Sequence, residues 1–248
     1  MEPEIETAAQ KLRGAGAVVA LTGAGISVES GIPPFRGKGG LWETIDPMEF
    51  AHIDRFLEDP GKVWEVLIKG MKETLDPARP NAGHLSLARL EAMGKLQTII
   101  TQNVDGLHQA AGSTDVIEFH GNFAWQRCTK CGWRVETARV DLSVLPPRCS
   151  CGGVLRPECV FYGEMIPSHH LVRSQSLSAS CDLMMVIGTS AEVQPAATMP
   201  VIAKHNGATV IEINPESTQL TLHVSDIFIR GGAGEVLSAV VDRLEELL

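Results

Sequence analysis

The stretch Ala17-Val18-Val19-Ala20-Leu21-Thr22-Gly23-Ala24-Gly25-Ile26-Ser27 decides the fold class, because an uncharged apolar run ends abruptly in a glycine turn. A run this short, bounded by glycine, reads as a strand buried on both faces, with the turn opening a helix. Glycines in that place let backbone N–H groups approach a phosphate, though the same turn also serves plain chain reversal. A full dinucleotide fingerprint would need a third glycine three residues after Gly25, and none stands there. Nor does an acidic residue close a second strand about 20 residues on, which counts against hydride transfer.

Working outward, similar runs occur at residues 97–101, 116–119, 183–187, 209–213 and 226–229. Helical spacing of apolar residues falls at 4–13, 84–93, 196–206 and 235–248. Alternating strands and helices predict an α/β fold, a parallel sheet covered on both faces. Two stretches break the rhythm. Residues 33–81 hold a glycine-rich loop, Gly37-Lys38-Gly39-Gly40, and then a helical pattern over 55–75, so they read as a helical insertion. Residues 125–157 hold clustered cysteines and Pro146-Pro147, with too little apolar material for a core unless a metal supplies one.

Of six cysteines, Cys128, Cys131, Cys149 and Cys151 form that cluster. Four soft thiolates close a tetrahedral shell around zinc and leave no open position for water, so the metal is expected to be structural. The second pair is one residue tighter than the usual knuckle, and Cys159 is an alternative fourth ligand. A metal cluster rather than a disulfide framework suits a reducing, cytoplasmic setting.

Length and charge narrow the functions. A chain of 248 residues suits one large domain with insertions. At 44% hydrophobic and 21% charged residues, disordered and collagen-like readings fail. The net charge of -9 opposes direct binding to nucleic acid. No apolar run is long enough to span a bilayer, and Met1-Glu2-Pro3-Glu4 is no signal peptide, so neither membrane nor export is expected. A monomer is the default.

Polar turns follow several of the strands. Thr101-Gln102-Asn103-Val104-Asp105 places amides and a carboxylate where doubly wound sheets bind ligands, while Asn103 or Asp105 could equally be a helix cap. His120-Gly121 puts a histidine at a strand end, fit for a general base or for a structural role. Gly188-Thr189-Ser190 and Asn214-Pro215-Glu216 repeat the pattern.

With Gly31-Ile32-Pro33-Pro34-Phe35-Arg36-Gly37 and Phe161-Tyr162-Gly163-Glu164 added, the chain resembles the sirtuins, NAD-dependent protein-lysine deacylases, over nearly its whole length. The resemblance implies a Rossmann-like doubly wound domain of residues 1–34, 82–124 and 157–248. It also implies a smaller domain made of a cofactor loop and helical module at 35–81 and a zinc-binding module at 125–156. NAD, consumed as co-substrate, would lie between them. Gly23, Ala24 and Gly25 would cradle its pyrophosphate, with Ser27 nearby, and Phe35 and Arg36 would cover the nicotinamide ribose. Gln102, Asn103, Val104 and Asp105 would line the nicotinamide pocket, Asp105 binding the carboxamide. Gly188, Thr189, Ser190, Asn214, Pro215, Glu216, Gly232 and Ala233 would contact ribose and adenine.

The same resemblance makes His120 the catalytic base, assisted by Asn103. The amide oxygen of acyl-lysine attacks C1′ as nicotinamide leaves, and His120 deprotonates a ribose hydroxyl; the products are nicotinamide, O-acyl-ADP-ribose and free lysine. The peptide would run strand-like between Val160, Phe161, Tyr162 and Gly163 on one side and Glu192-Val193 on the other, with Phe161 and Val193 walling the lysine tunnel. Two features depart from the family pattern. Pro34 removes a backbone donor and stiffens the loop beside Phe35. Leu67-Ile68-Lys69-Gly70 stands where succinyl-preferring members carry a Tyr and an Arg, so neutral acyl groups are expected. Protein ADP-ribosylation is the competing enzyme reading, and a zinc-ribbon binding module the competing reading of another class.

Overall fold

The computed structural model describes residues 1–37 and 39–248; Lys38, within the glycine-rich loop, lies outside them. Its strands are β1 (Val18–Thr22), β2 (Thr98–Thr101), β3 (Val116–Glu118), β4 (Gly121–Cys128), β5 (Arg134–Glu136), β6 (Leu155–Cys159), β7 (Leu183–Ile187), β8 (Thr209–Asn214) and β9 (Ile227–Arg230). Six of them form a parallel sheet in the order β3-β2-β1-β7-β8-β9. Every residue of β1, β2 and β7 is buried, as the uncharged runs require of strands covered on both faces. From β1 the chain builds outward to β3, then returns to add β7 on the other side of β1. That reversal opens a crevice at the carboxyl ends of β1 and β7.

Helices Glu2–Gly14, Ala82–Ala92 and Ala233–Leu247 cover one face, burying Leu12, Leu87, Leu90, Val236, Val240 and Leu244 against the sheet. The other face carries Val19, Leu21, Met184, Val186 and Val210 and packs against helices Ser168–Ser180 and Met199–His205. Residues 196–206 divide into a 3-10 turn, Ala196–Thr198, and a helix with Pro200 near its start. Helix Ser168–Ser180 escapes a periodicity search because the residues it buries are Ser174 and Ser178. Among the described residues no helix is long and apolar enough to cross a membrane.

The helical insertion bears out the helical pattern over 55–75, broken once at Asp59: a short helix, Ile53–Glu58, is followed by unbroken helix from Pro60 to Leu75 with a π-helical turn within it. Pro47–Phe50 and Pro60–Val63 each begin with proline and are capped by the carboxylates of Asp46 and Asp59. A π-helical turn, Trp64–Ile68, follows. Trp64 is fully buried, and its indole N–H donates to the Leu155 carbonyl at 2.8 Å, tying this insertion to the second sheet. That sheet is antiparallel, in the order β5-β4-β6. It starts at Gly121, ahead of the cysteines. Gly121 has φ +80°, and a Cβ there would meet the Glu158 carbonyl oxygen at 2.0 Å, so only glycine lets the chain turn from the large sheet into the small one.

Candidate active site

The carboxyl ends of β1, β2, β7, β8 and β9 open into one cleft of about 1030 Å³. At its floor the turns after β1 and β7 touch. The Gly23 N–H donates to the Ile187 carbonyl at 3.0 Å and the Gly25 N–H to the Gly188 carbonyl at 2.8 Å. A Cβ on Gly25 would lie 2.6 Å from Gly188 Cα. The two glycines therefore serve strand-to-strand approach, which corrects the expectation that their N–H groups cradle a phosphate. Among the described residues, Ala24 is the member of the trio whose N–H has no such partner. The turn opens a helix as expected, a 3-10 helix over Ala24–Ser30, and Gly31 ends it at φ 85°.

His120 lines the cleft, and its Nδ1 lies 3.1 Å from the Gln102 carbonyl. A carbonyl only accepts, so Nδ1 carries the proton and Nε2 holds a lone pair. Burial pushes the His120 pKa down, against the opposing pull of that carbonyl, and the imidazole is neutral near pH 7. Asn103 is buried, its amide nitrogen donating to the Gly23 carbonyl and the Ser27 hydroxyl, each at 3.1 Å. Ser27 in turn donates to Asp105 at 2.7 Å. The other Asp105 oxygen accepts the Leu107 N–H at 2.9 Å, across Gly106, which stands at the cap position of the short helix Leu107–Ala110 in place of Asn103 or Asp105. Gln102 reaches across to the Thr189 hydroxyl at 2.9 Å, linking the ends of β2 and β7.

On the opposite wall, Phe161 is held by a residue the sequence reading missed. Arg156, nearly buried on β6, makes two 2.7 Å bonds to the Glu164 carboxylate, and its guanidinium lies 4.6 Å from the Phe161 ring centre. Glu164 accepts the Phe161 N–H at 2.9 Å. Ring and backbone of Phe161 are both fixed by this charge-assisted fork. The neighbouring backbone is also occupied: the Val160 N–H goes to the His120 carbonyl, and Tyr162 exchanges hydrogen bonds with Ala51 and Ile53. Among the described residues of this segment, the Val160 carbonyl and both backbone groups of Gly163 have no such partner. Across the cleft mouth, Arg36 donates to the Tyr162 hydroxyl at 3.1 Å and lies 3.6 Å from Glu192. Phe35 stacks on Trp42, and the Pro34 carbonyl accepts the Leu41 N–H.

The four clustered cysteines meet at one point. Their sulfurs all lie within 4.8 Å of one another, Cys128 to Cys151 at 3.5 Å and Cys131 to Cys149 at 3.7 Å. Tetrahedral zinc with bonds of about 2.3 Å sets sulfurs roughly 3.8 Å apart, so the set fits. The Lys130 N–H points at Cys128 Sγ from 3.4 Å, favouring the thiolate a metal needs. Cys159 is not in the cluster; it sits on β6 and lines the cleft.

Residues 23–195 match the Sir2 family. The chain belongs to the Sir2 family. NAD-dependent protein deacylase 2 of Pyrobaculum aerophilum is 47% identical over 231 residues, 93% of this chain and 92% of that one. Among solved structures, a Sir2 homolog–NAD complex matches with TM-score 0.90 at 43% identity, covering 98% of this chain and 94% of the other. Sir2Af2 bound to a myristoylated histone peptide matches with TM-score 0.82 at 35% identity, covering 100% and 98%.

Measured against the Sir2 reading, the cleft gathers Gly23, Ala24, Gly25, Phe35, Arg36, Gln102, Asn103, Val104 and His120. It also takes in Val160, Phe161, Tyr162, Gly163, Gly188, Thr189, Ser190, Val193, Asn214, Pro215, Glu216, Gly232 and Ala233. Ser27 and Asp105 instead line an adjoining cavity of about 210 Å³, which shares Ala24, Phe35, Asn103 and Val104 with the cleft. Sequence reasoning missed Glu29, Trp42, Met71, Phe123 and the residues 217–219, all of which also line the cleft. A usable signal existed for Glu29 alone, a charge two residues after the buried Ser27; it accepts the Gly234 N–H at the start of helix Ala233–Leu247.

Proposed function

We propose that this chain is an NAD-dependent protein-lysine deacylase that removes acetyl or longer neutral acyl groups, producing nicotinamide, O-acyl-ADP-ribose and free lysine. The carrying observation is His120: a neutral imidazole in a single tautomer, lining the same cleft as the β1 and β7 turns and the Phe161 wall. The deacylase name of the Pyrobaculum relative and the ligands of the two Sir2 structures support the reading.

NAD supplies an electrophilic ribose carbon when its nicotinamide departs. Around it, Ala24 offers its free N–H to the pyrophosphate, and Asp105, braced by Ser27, holds the carboxamide from the adjoining cavity. Asn103, anchored at Gly23 and Ser27, keeps its carbonyl oxygen for the reacting end. His120 Nε2 takes the proton from a ribose hydroxyl. Phe35 and the helical insertion exclude water, which strengthens each polar contact. The peptide pairs with Gly163 and the Glu192-Val193 segment, its lysine passing between Phe161 and Val193. Cys128, Cys131, Cys149 and Cys151 hold one structural zinc, remote from the chemistry. We read the three parts as the body 1–34, 82–124 and 157–248, the module 35–81 and the zinc module 125–156, acting as a cytoplasmic monomer.

The acyl end is apolar: Leu67, Ile68 and Met71 line the cleft, while Lys69 is exposed and faces Glu73. Acetyl and long apolar acyl-lysine peptides should therefore outpace succinyl peptides in kcat/KM, and the reverse order would overturn this preference. The decisive assay is nicotinamide release with mass spectrometry, with and without acetyl-lysine peptide, on wild type and His120→Ala. Peptide-dependent release with acetyl-ADP-ribose, lost in the variant, is expected. ADP-ribose attached to protein in place of acyl-ADP-ribose would replace deacylation by transfer.

A further inference from the structure

We propose that Glu212 is a positioning residue for the adenosine half of NAD; the inference rests on the NAD reading above. Glu212 lies on β8, 1% exposed, and takes no part in the chemistry described so far. A buried carboxylate is costly unless it is fully hydrogen-bonded. This one accepts three hydroxyls: Thr218 at 2.6 Å, Thr221 at 2.7 Å and Ser225 at 2.7 Å. All three donors belong to the single segment that follows β8, around the short helix Gln219–His223.

That segment is also a wall of the cleft. Glu216, Ser217, Thr218, Gln219 and Leu222 face the cavity, so Thr218 bonds Glu212 while lining the site. Side chains alternate along a strand, so Glu212 and Asn214 share a face of β8. Asn214 stands at the cleft and donates to the Thr189 carbonyl at 3.0 Å. Glu212 thus lies one pleat below the place assigned to ribose and adenine. An apolar residue there would leave the wall free to slide; the carboxylate, with three directional charge-assisted bonds, specifies one position. The Thr218 hydroxyl also accepts the Leu220 N–H at 3.0 Å, so the same bond array starts the helix. A wall already in place spares NAD the ordering cost on binding.

The test separates binding from chemistry. Glu212→Gln keeps the shape but replaces one acceptor with N–H donors facing hydroxyls, and Ser225→Ala removes one donor that does not line the cleft. Losing one hydrogen bond to a charge predicts that KM for NAD rises about tenfold in Glu212→Gln and about threefold in Ser225→Ala. The dissociation constant for ADP-ribose, measured by calorimetry, should weaken in parallel. At saturating NAD, kcat and the KM for acetyl-lysine peptide should stay within about twofold, which a general loss of structure would not allow. Unchanged NAD KM and ADP-ribose affinity in the folded variants would overturn the proposal, as would a fall confined to kcat. If Glu212→Gln does not fold, Ser225→Ala alone decides. A wild type that binds no ADP-ribose would instead sink the NAD reading.

Discussion

At residue scale, one hydrogen bond decides how His120 works. The Gln102 carbonyl holds the Nδ1 proton, and burial keeps the ring neutral by pulling its pKa below the ordinary 6.5. A general base is active only when unprotonated, so kcat/KM should fall as pH drops through a value below 6.5. A pH–rate profile with its acid limb centred above 6.5 would contradict this assignment. Arg156 offers a second test. Arg156→Lys keeps the charge but loses the fork on Glu164 and the broad face against Phe161. We expect the peptide KM to rise about tenfold with NAD KM little changed, since the loosened Phe161 is the proposed wall of the lysine tunnel. Equal changes in both constants would show the fork to be merely structural.

At the scale of elements, the small antiparallel sheet depends on its metal. Its own apolar cluster holds little beyond Cys128, Cys149 and Leu155 as buried members. A module with so small a core relies on zinc for folding energy. Cys151→Ser should lower bound zinc below one per chain by elemental analysis. It should also drop the melting temperature by roughly 10 °C, the size expected for a loss of roughly 3 kcal/mol in a chain this long. Full zinc content in that variant would show that the cluster is not the site. The Trp64 bond to Leu155 links this module to the turn that carries Leu67 and Ile68, so its loss should reach the acyl end of the cleft.

At the scale of the whole molecule, buried ionisable groups set the acid limit of stability. His84, His108 and His120 all have pKa values lowered by burial, His108 to about 3. Unfolded histidine takes up its proton near 6.5, so below that pH the unfolded chain binds more protons than the folded one. Stability is complete above about pH 6.5 and falls as pH drops toward the folded values, by about 1.4 kcal/mol per pH unit for His108 alone. Glu164, whose pKa the Arg156 fork holds below the usual range despite burial, loses its contribution in the same direction. The urea midpoint should therefore decline steadily from pH 7 to pH 5, and a flat midpoint would refute the account.

What the sequence determined by itself is local. Short apolar runs placed all six parallel strands: β1, β2 and β7 carry no charge because they are covered on both faces, while β3, β8 and β9 each admit one charged residue, Glu118, Glu212 and Arg230. Cysteine spacing located the cluster, because Cys128 with Cys131 and Cys149 with Cys151 stand close enough along the chain for each pair to grip one ion. Polar turns after strands marked the cleft, and resemblance supplied the roles that spacing could not. Tertiary structure alone decided the rest. Gly23 and Gly25 read as phosphate glycines until β7 lay against them; Glu212, Arg156 and helix Ser168–Ser180 carry no periodic signal. Ser27 and Asp105 moved to a neighbouring cavity for the same reason. Each depends on partners brought together by folding, and a pattern read along the chain reports only which face a residue takes, not what it meets there.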